Sequence, residues 1–157
     1  MNIRKAISTD ALLLSSLCMD VQRLHAVAHP EYFKVPQTED FAEIFFETIL
    51  GLDTSYIFIA EDKDDALGYV FSNLVEKPEN PFIFTHRYLM IEQISVRPHV
   101  QRHGIGASLI REVEVAARDL GVKRIELGSW DFNLNAHRFF TRMGYEKQHY
   151  KFGKTVR

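Results

Sequence analysis

At 157 residues the chain has the length of one ordinary domain, large enough to bury a continuous core without disulfides or metal staples. Nineteen basic against twenty-one acidic side chains leave a formal charge of −2, which argues against a broadly basic binder of nucleic acid or membrane surfaces. Any anion site must therefore be local.

The first residues carry no secretory apolar stretch and no apolar run is long enough to cross a bilayer, so a cytoplasmic protein is expected. No repeat or linker divides the chain, which is expected to form a single domain over 1–157. "NIRKA" opens as a short strand. Ser8 or Thr9 can then cap a helix with Leu14, Leu17, Cys18, Val21, His25 and Ala28 on one face, ended by Pro30. On that face the lone cysteine, Cys18, is expected to be a buried, inert thiol. Thr38 can cap a second helix, with Glu39 and Asp40 in its first turn and Phe41, Ile44, Phe45, Thr48 and Leu52 as its buried stripe.

The period then changes. "SYIFIAED" and "ALGYVFSNLVE" are β-rich runs joined by the charged tip "KDD", a hairpin. After the loop "KPENPF", "HRYLMIEQISV" is a long strand stopped by Pro98. "IGASLIREVEVAARDLG" is an amphipathic helix with Ile105, Leu109, Val113, Ala116 and Leu120 inward and Gly121 as its stop. A strand "KRIELGSW", a short helix "NLNAHRFFTRMG" and a last strand "YEKQHYKF" complete the order β-α-α-β-β-β-α-β-α-β. That order is an α/β (α+β) chain with one mixed sheet flanked by helices.

The stretch "ISVRPHVQRHGIGASL" joins a strand end to a helix start through two close glycines and several basic side chains. Backbone N–H groups converge at such a seam and the helix dipole adds positive potential, so the geometry suits an anion. An ordinary tight turn with helix capping is the plainer alternative. The third glycine of the dinucleotide fingerprint is missing, and no Gly-Lys-Ser/Thr follows as a Walker loop requires.

With its neighbours the segment resembles the GCN5-related N-acetyltransferase (GNAT) family. Gln101, Gly104 and Gly106 match that family's Gln/Arg-x-x-Gly-x-Gly/Ala pyrophosphate loop, and "VRP" matches the usual end of its preceding strand. "NLNAHRFFTRMGY" is similar to a second family segment, with Asn133, Phe139, Gly144 and Tyr145 in register. The resemblance covers nearly the whole chain and implies the GNAT fold, an acetyl-CoA donor and transfer of its acetyl group to a primary amine by direct attack. It implies that the backbone from Arg102 through His103, Gly104, Ile105 and Gly106 to Ala107 cradles the pyrophosphate. The strand end Ile94, Ser95 and Val96 would meet the pantetheine arm, chiefly through Ile94 and Val96, with Asn133 and Phe140 contacting the cofactor from the other side. It also implies that the fourth and fifth strands splay around the thioester.

Transfer to an amine needs a neutral nucleophile, and a free amine of pKa ~10.4 is mostly protonated at pH 7. The resemblance makes Glu92 the carboxylate suited to that task, on the fourth strand beside the splay, where some relatives of polyamine-acetylating type carry a base glutamate. Strand alternation puts Glu92, Ile94 and Val96 on one face and Gln93 and Ser95 on the other. A solvated charge or salt-bridge partner is its plainer role. The tyrosine that the family uses as general acid is here Phe140. Tyr145, Tyr88 and His137 are the substitutes, unless the thiolate, of pKa ~8.5, leaves unassisted. Gly128 stands where relatives that acetylate protein N-termini carry a glutamate, which weakens a protein-terminus substrate.

For the acceptor, His25, Tyr32 and Phe33, with His29 near them and Trp130 at the end of the fifth strand, can line an aromatic pocket that favours a cation. No metal is implied. The amine could be a small molecule or a protein side chain, and a homodimer is compatible with the sequence. A CoA-binding sensor that has lost catalysis is the alternative that Phe140 keeps open.

Overall fold

In the computed structural model, residues 1–63 and 65–156 are described; Asp64, within the expected hairpin tip "KDD", lies outside them. In chain order the elements are β1 (Asn2–Lys5), α1 (Ala11–Ala28), α2 (Glu43–Leu50), β2 (Ser55–Asp62), β3 (Asp65–Lys77), β4 (His86–Val96), α3 (Ile105–Asp119), β5 (Ile125–Leu127) and α4 (Leu134–Arg142). The strands form one sheet in the order β1-β2-β3-β4-β5. Pairing is antiparallel from β1 to β4, and β5 runs parallel to β4.

Two apolar layers hold this sheet. On one side Leu109, Ile110 and Val113 of α3 are sealed against Ala60, Val70, Leu89 and Ile91, with Phe140 of α4 in the same cluster. On the other, Leu14, Leu17 and Cys18 of α1 and Phe46 and Ile49 of α2 pack on Ile57, Ile59, Tyr69 and Phe71. Each of the valine, leucine, isoleucine and phenylalanine side chains among them contributes roughly 1.5–3 kcal/mol relative to exposure. The thiol of Cys18 is buried, and desolvation raises its pKa.

The helical periodicity placed α1, α3 and α4 well, but not the register of α2. Phe46 and Ile49 are its buried residues, whereas Ile44 is 79% and Phe45 47% exposed, and Phe41 and Leu52 are also exposed. A tertiary contact explains the shift: the buried Ser15 hydroxyl of α1 accepts the Ala42 amide at 3.0 Å, and the helix begins immediately after it. Thr38 lies in the turns that precede this point and does not cap the helix. Ser8 and Thr9 likewise belong to a 3-10 turn, Ser8–Asp10. There Asp10 accepts the Ile7 amide and two N–H groups of Arg4.

Two strands differ from expectation. β5 is only three residues long, so Trp130 lies in the loop beyond it. The last strand expected over "YEKQHYKF" is not formed: residues 145–156 have no regular structure, although Gln148 accepts a hydrogen bond from Arg124 at 3.0 Å. A β-like sequence without a ladder partner gains no strand hydrogen bonds.

The ladder between β3 and β4 contains a bulge. Phe71 faces Gln93 and Ser72 faces Ile91, which leaves Glu92 as the extra residue. A bulge reverses which face later side chains take. Leu89 and Ile91 before it and Ile94 and Val96 after it all join the α3 layer. Gly68 lets the two strands close up beyond the bulge, since a Cβ there would lie 2.4 Å from the Ser95 carbonyl oxygen.

Candidate functional site

β5 pairs with β4 only at Leu89–Ile125, Met90–Glu126 and Ile91–Leu127, yet β4 continues to Val96. The direction of its backbone groups follows from the β3 ladder. The Arg97 amide donates to Leu67 O at 2.9 Å, toward β3, and two-residue alternation turns Ser95 the same way. The backbone groups of Ile94 and Val96 therefore face the β5 side, where no strand pairs with them. The Val96 carbonyl accepts Gln101 Nε2 at 2.9 Å. Ser95 itself is buried and its edge is turned to β3, away from that gap.

At the end of this open edge the chain turns into α3. Arg102 and Gly104 both have positive φ, at 66° and 82°, and Gly104 is the N-cap of the helix. Glycine adopts that conformation without the penalty a side chain brings. The Ser108 amide donates to Gly104 O at 3.0 Å, whereas the amides of Ile105, Gly106 and Ala107 have no protein acceptor among the described residues. Three free N–H groups at a helix N-terminus, beside the exposed side chains of Arg102 and His103, are an arrangement suited to an anion. Gly106 has a different purpose: a Cβ there would meet the Phe139 ring at 3.2 Å, so its bareness lets α4 pack against α3.

Asn133 is the N-cap of α4, and its Oδ1 accepts the Ala136 amide at 3.2 Å. Phe140 is 8% exposed and packs against Phe139 and Tyr145, as a core side chain does. Of the three substitute acids, His137 Nε2 is bonded to Trp130 O at 3.0 Å. Tyr88 lies on β4 before the bulge, its ring tilted against that of His86 at 4.8 Å. The Tyr145 hydroxyl is buried with no hydrogen-bond partner; its pKa is pushed up to about 12, first by burial and then by the charge of Glu114.

Glu92 does not share a face with Ile94 and Val96, as simple alternation required. The bulge turns it to the α1–α2 side, where it and Gln93 line a shallow depression of about 260 Å³ with Phe45, Ile49, Phe71 and Asn73. Asn73 Nδ2 lies 3.5 Å from Glu92 Oε1. The depression is not legible in the sequence, because helical spacing points Phe45 inward whereas it is exposed, and the bulge has no local signature.

His25, Tyr32, Phe33 and Trp130 come together with His29 and Phe132 in one cluster of rings packed on one another. His25 lies 5.0 Å from Phe33 and 5.5 Å from Phe132; His29 lies 4.6 Å from Trp130, which is 5.7 Å from Tyr32 and 5.3 Å from Phe33. The cluster ties the end of α1 to the loop before α4. In its first half α1 touches β4 and the residue after it, through Cys18 near Gln93 and Ser16 near Arg97. The helix thus spans the open gap on that side of the sheet. No group of three His, Cys, Asp or Glu able to hold a metal is found among the described residues, and no helix is long and apolar enough to cross a membrane.

A sequence model of the acetyltransferase (GNAT) family matches residues 21–145. An aminoalkylphosphonate N-acetyltransferase of Salmonella typhimurium strain LT2 is 33% identical over 66 residues, which span 42% of this chain and 43% of that relative. The chain thus matches less than half the length of that curated relative. A tetramutant of the BH1408 protein from Bacillus halodurans superposes with a TM-score of 0.92 at 22% identity, covering 99% of this chain and 100% of the other. The aminoglycoside N-acetyltransferase AAC(6')-Iy in complex with CoA superposes with a TM-score of 0.76 at 18% identity, covering 99% and 94%. At these identities the two structures establish the fold.

Proposed function

The chain belongs to the acetyltransferase (GNAT) family, and on that footing we propose that it is an acetyl-CoA-dependent N-acetyltransferase acting on a primary amine. The observation that carries this reading is the open edge of β4, which runs from the last β5 pair at Ile91 to three free amides at the start of α3. A pantetheine arm is an amide chain ending in a pyrophosphate, and an unpaired strand edge leading to a helix N-terminus matches both halves of it. The CoA complex of AAC(6')-Iy, a protein of the same fold, is consistent with this fit.

Acetyl-CoA supplies the activated acyl carbon and a thiolate leaving group. The protein has to orient it, free the amine of its proton and steady the oxyanion. The amides of residues 105–107 hold the pyrophosphate, with Arg102 and His103 adding local positive potential. Glu92 takes the amine's proton, directly or through one water, because the bulge carries its carboxylate to the α1–α2 side just beyond the point where β4 and β5 part. A backbone N–H of β4, that of Ile94, steadies the oxyanion. No protein acid is needed at Phe140 if the thiolate leaves unassisted. The acceptor enters over the depression beside Glu92, with the aromatic cluster of His25, His29, Tyr32, Phe33 and Trp130 at the far side of the gap.

The test is to incubate the protein with acetyl-CoA and a panel of small amines and to follow thiol release. Amine-dependent release is expected. Binding of acetyl-CoA without release on any amine would favour the catalytically silent sensor.

A further inference from the structure

The bulge lies over a buried tyrosine. Tyr69 is fully buried, its ring 5.8 Å from Phe46, and its hydroxyl donates to Gln93 Oε1 at 2.7 Å. Cys18 Sγ lies 3.9 Å from the same oxygen. A phenol hydroxyl sealed in an apolar layer needs such an acceptor, so the Gln93 amide is held with its oxygen inward. Its nitrogen end is therefore left free: Gln93 Nε2 makes no hydrogen bond among the described residues and is not sealed from solvent, and the side chain lines the depression next to Glu92. The other amide there is already engaged, since Asn73 approaches Glu92 through Nδ2 and accepts Ser55 Oγ at 3.1 Å.

We propose that Gln93 is a specificity-determining residue whose Nε2 donates to an oxygen carried by the acceptor near its amine. The inference rests on the acetyltransferase reading above and names the substrate class for the same site: an amine with a neighbouring oxygen on an apolar body. An amide NH₂ can only donate. The attacking nitrogen needs its lone pair for the new bond to carbon, so the partner of Nε2 is a separate acceptor atom. Glu92 and Gln93 are adjacent in sequence, turned to one side by the bulge and line the same depression, so one acceptor can meet both through its amine and a nearby oxygen. Phe45, Ile49 and Phe71 supply the apolar wall.

The experiment compares phenylethanolamine with phenethylamine, which share a skeleton and differ by one hydroxyl next to the aminomethyl carbon. Wild-type kcat/KM should favour phenylethanolamine by about fivefold to tenfold, mostly through KM, the scale of one neutral hydrogen bond. Gln93→Glu keeps an oxygen for Tyr69 and can accept from the substrate hydroxyl, so it serves to check that the site still folds, read as an unchanged thermal shift with CoA. Gln93→Leu in a Tyr69→Phe background removes both partners without orphaning a buried hydroxyl, and should bring the ratio to about one. Calorimetric binding of the two amines to the CoA-bound protein reads the same preference without turnover. Lack of acetyl transfer would therefore count against the enzymatic reading and leave this comparison intact. Equal wild-type affinity for both amines overturns the proposal. So does a preference that survives Gln93→Leu in the Tyr69→Phe background, including the case in which kcat falls equally on both amines because the amide serves the thioester oxygen.

Discussion

Ile91 of β4 faces Leu127 of β5, and no pair beyond it joins the two strands. That pair marks the apex of the gap. Everything proposed for the donor lies along the strand edge between it and Gly104.

The first prediction concerns that edge. Acetyl-CoA at a hundredfold excess over its Kd should stabilise the fold by about 2.7 kcal/mol, a rise of several degrees in Tm. Gly104→Val should remove the shift, because a branched side chain resists the positive φ that turns the loop toward its free amides. The variant should still fold, as a Cβ at Gly104 meets nothing within 4 Å. Absence of a shift with both CoA and acetyl-CoA in the wild type would end the reading of the site.

Glu92→Gln tests the proposed base. It keeps size and hydrogen bonding beside Asn73 but cannot take a proton. Turnover at neutral pH should fall on the order of a hundredfold, with acetyl-CoA affinity nearly unchanged. Part of the loss should return as pH rises and the free-amine fraction grows. Near-normal turnover at pH 7 would remove Glu92 from the role.

The buried, unpartnered hydroxyl of Tyr145 gives a paired stability and activity test. Tyr145→Phe removes an unsatisfied polar atom and should leave Tm unchanged or raise it. If the thiolate leaves unassisted, turnover should also be unchanged; a large drop in kcat at normal stability would make Tyr145 the acid. Phe140→Ala should instead cost about 3 kcal/mol through the cavity it opens in the core, measured by urea denaturation.

Asp10 and Arg4 set an acid limit. Burial works to raise the Asp10 pKa, but the Arg4 guanidinium and the Ile7 amide together bring it below the usual carboxylate range. The folded state therefore binds fewer protons there than an unfolded chain, whose aspartate titrates near ~3.9. The stabilisation is complete above that value and is lost as pH falls through the lower, folded pKa. Asp10→Ala should cost about 2 kcal/mol at pH 7 and much less in acid, read as urea midpoints at several pH values. A cost that does not change with pH would remove the ion pair as its source.

The sequence by itself determined what depends on neighbours along the chain. α3 is legible because its apolar stripe recurs every three or four residues, and its start because a positive-φ glycine and free helix amides are local properties. Asn133, expected from the family segment to contact the cofactor, uses its oxygen in the fold to cap α4. The same holds for β4, which ends at Val96, two residues before Pro98. Only the tertiary structure decided what depends on partners far away in sequence. Whether Phe45 or Phe46 turns inward depends on where Ser15 pins Ala42, a contact spanning 27 residues. Whether Glu92 points with Ile94 or against it depends on a residue count between β3 and β4 that neither strand carries alone. "YEKQHYKF" has strand-like composition, but a strand exists only where another strand takes its hydrogen bonds. The fold and the proposed donor cradle are written in local chemistry, whereas the direction of the proposed base and the depression beside it come from pairing.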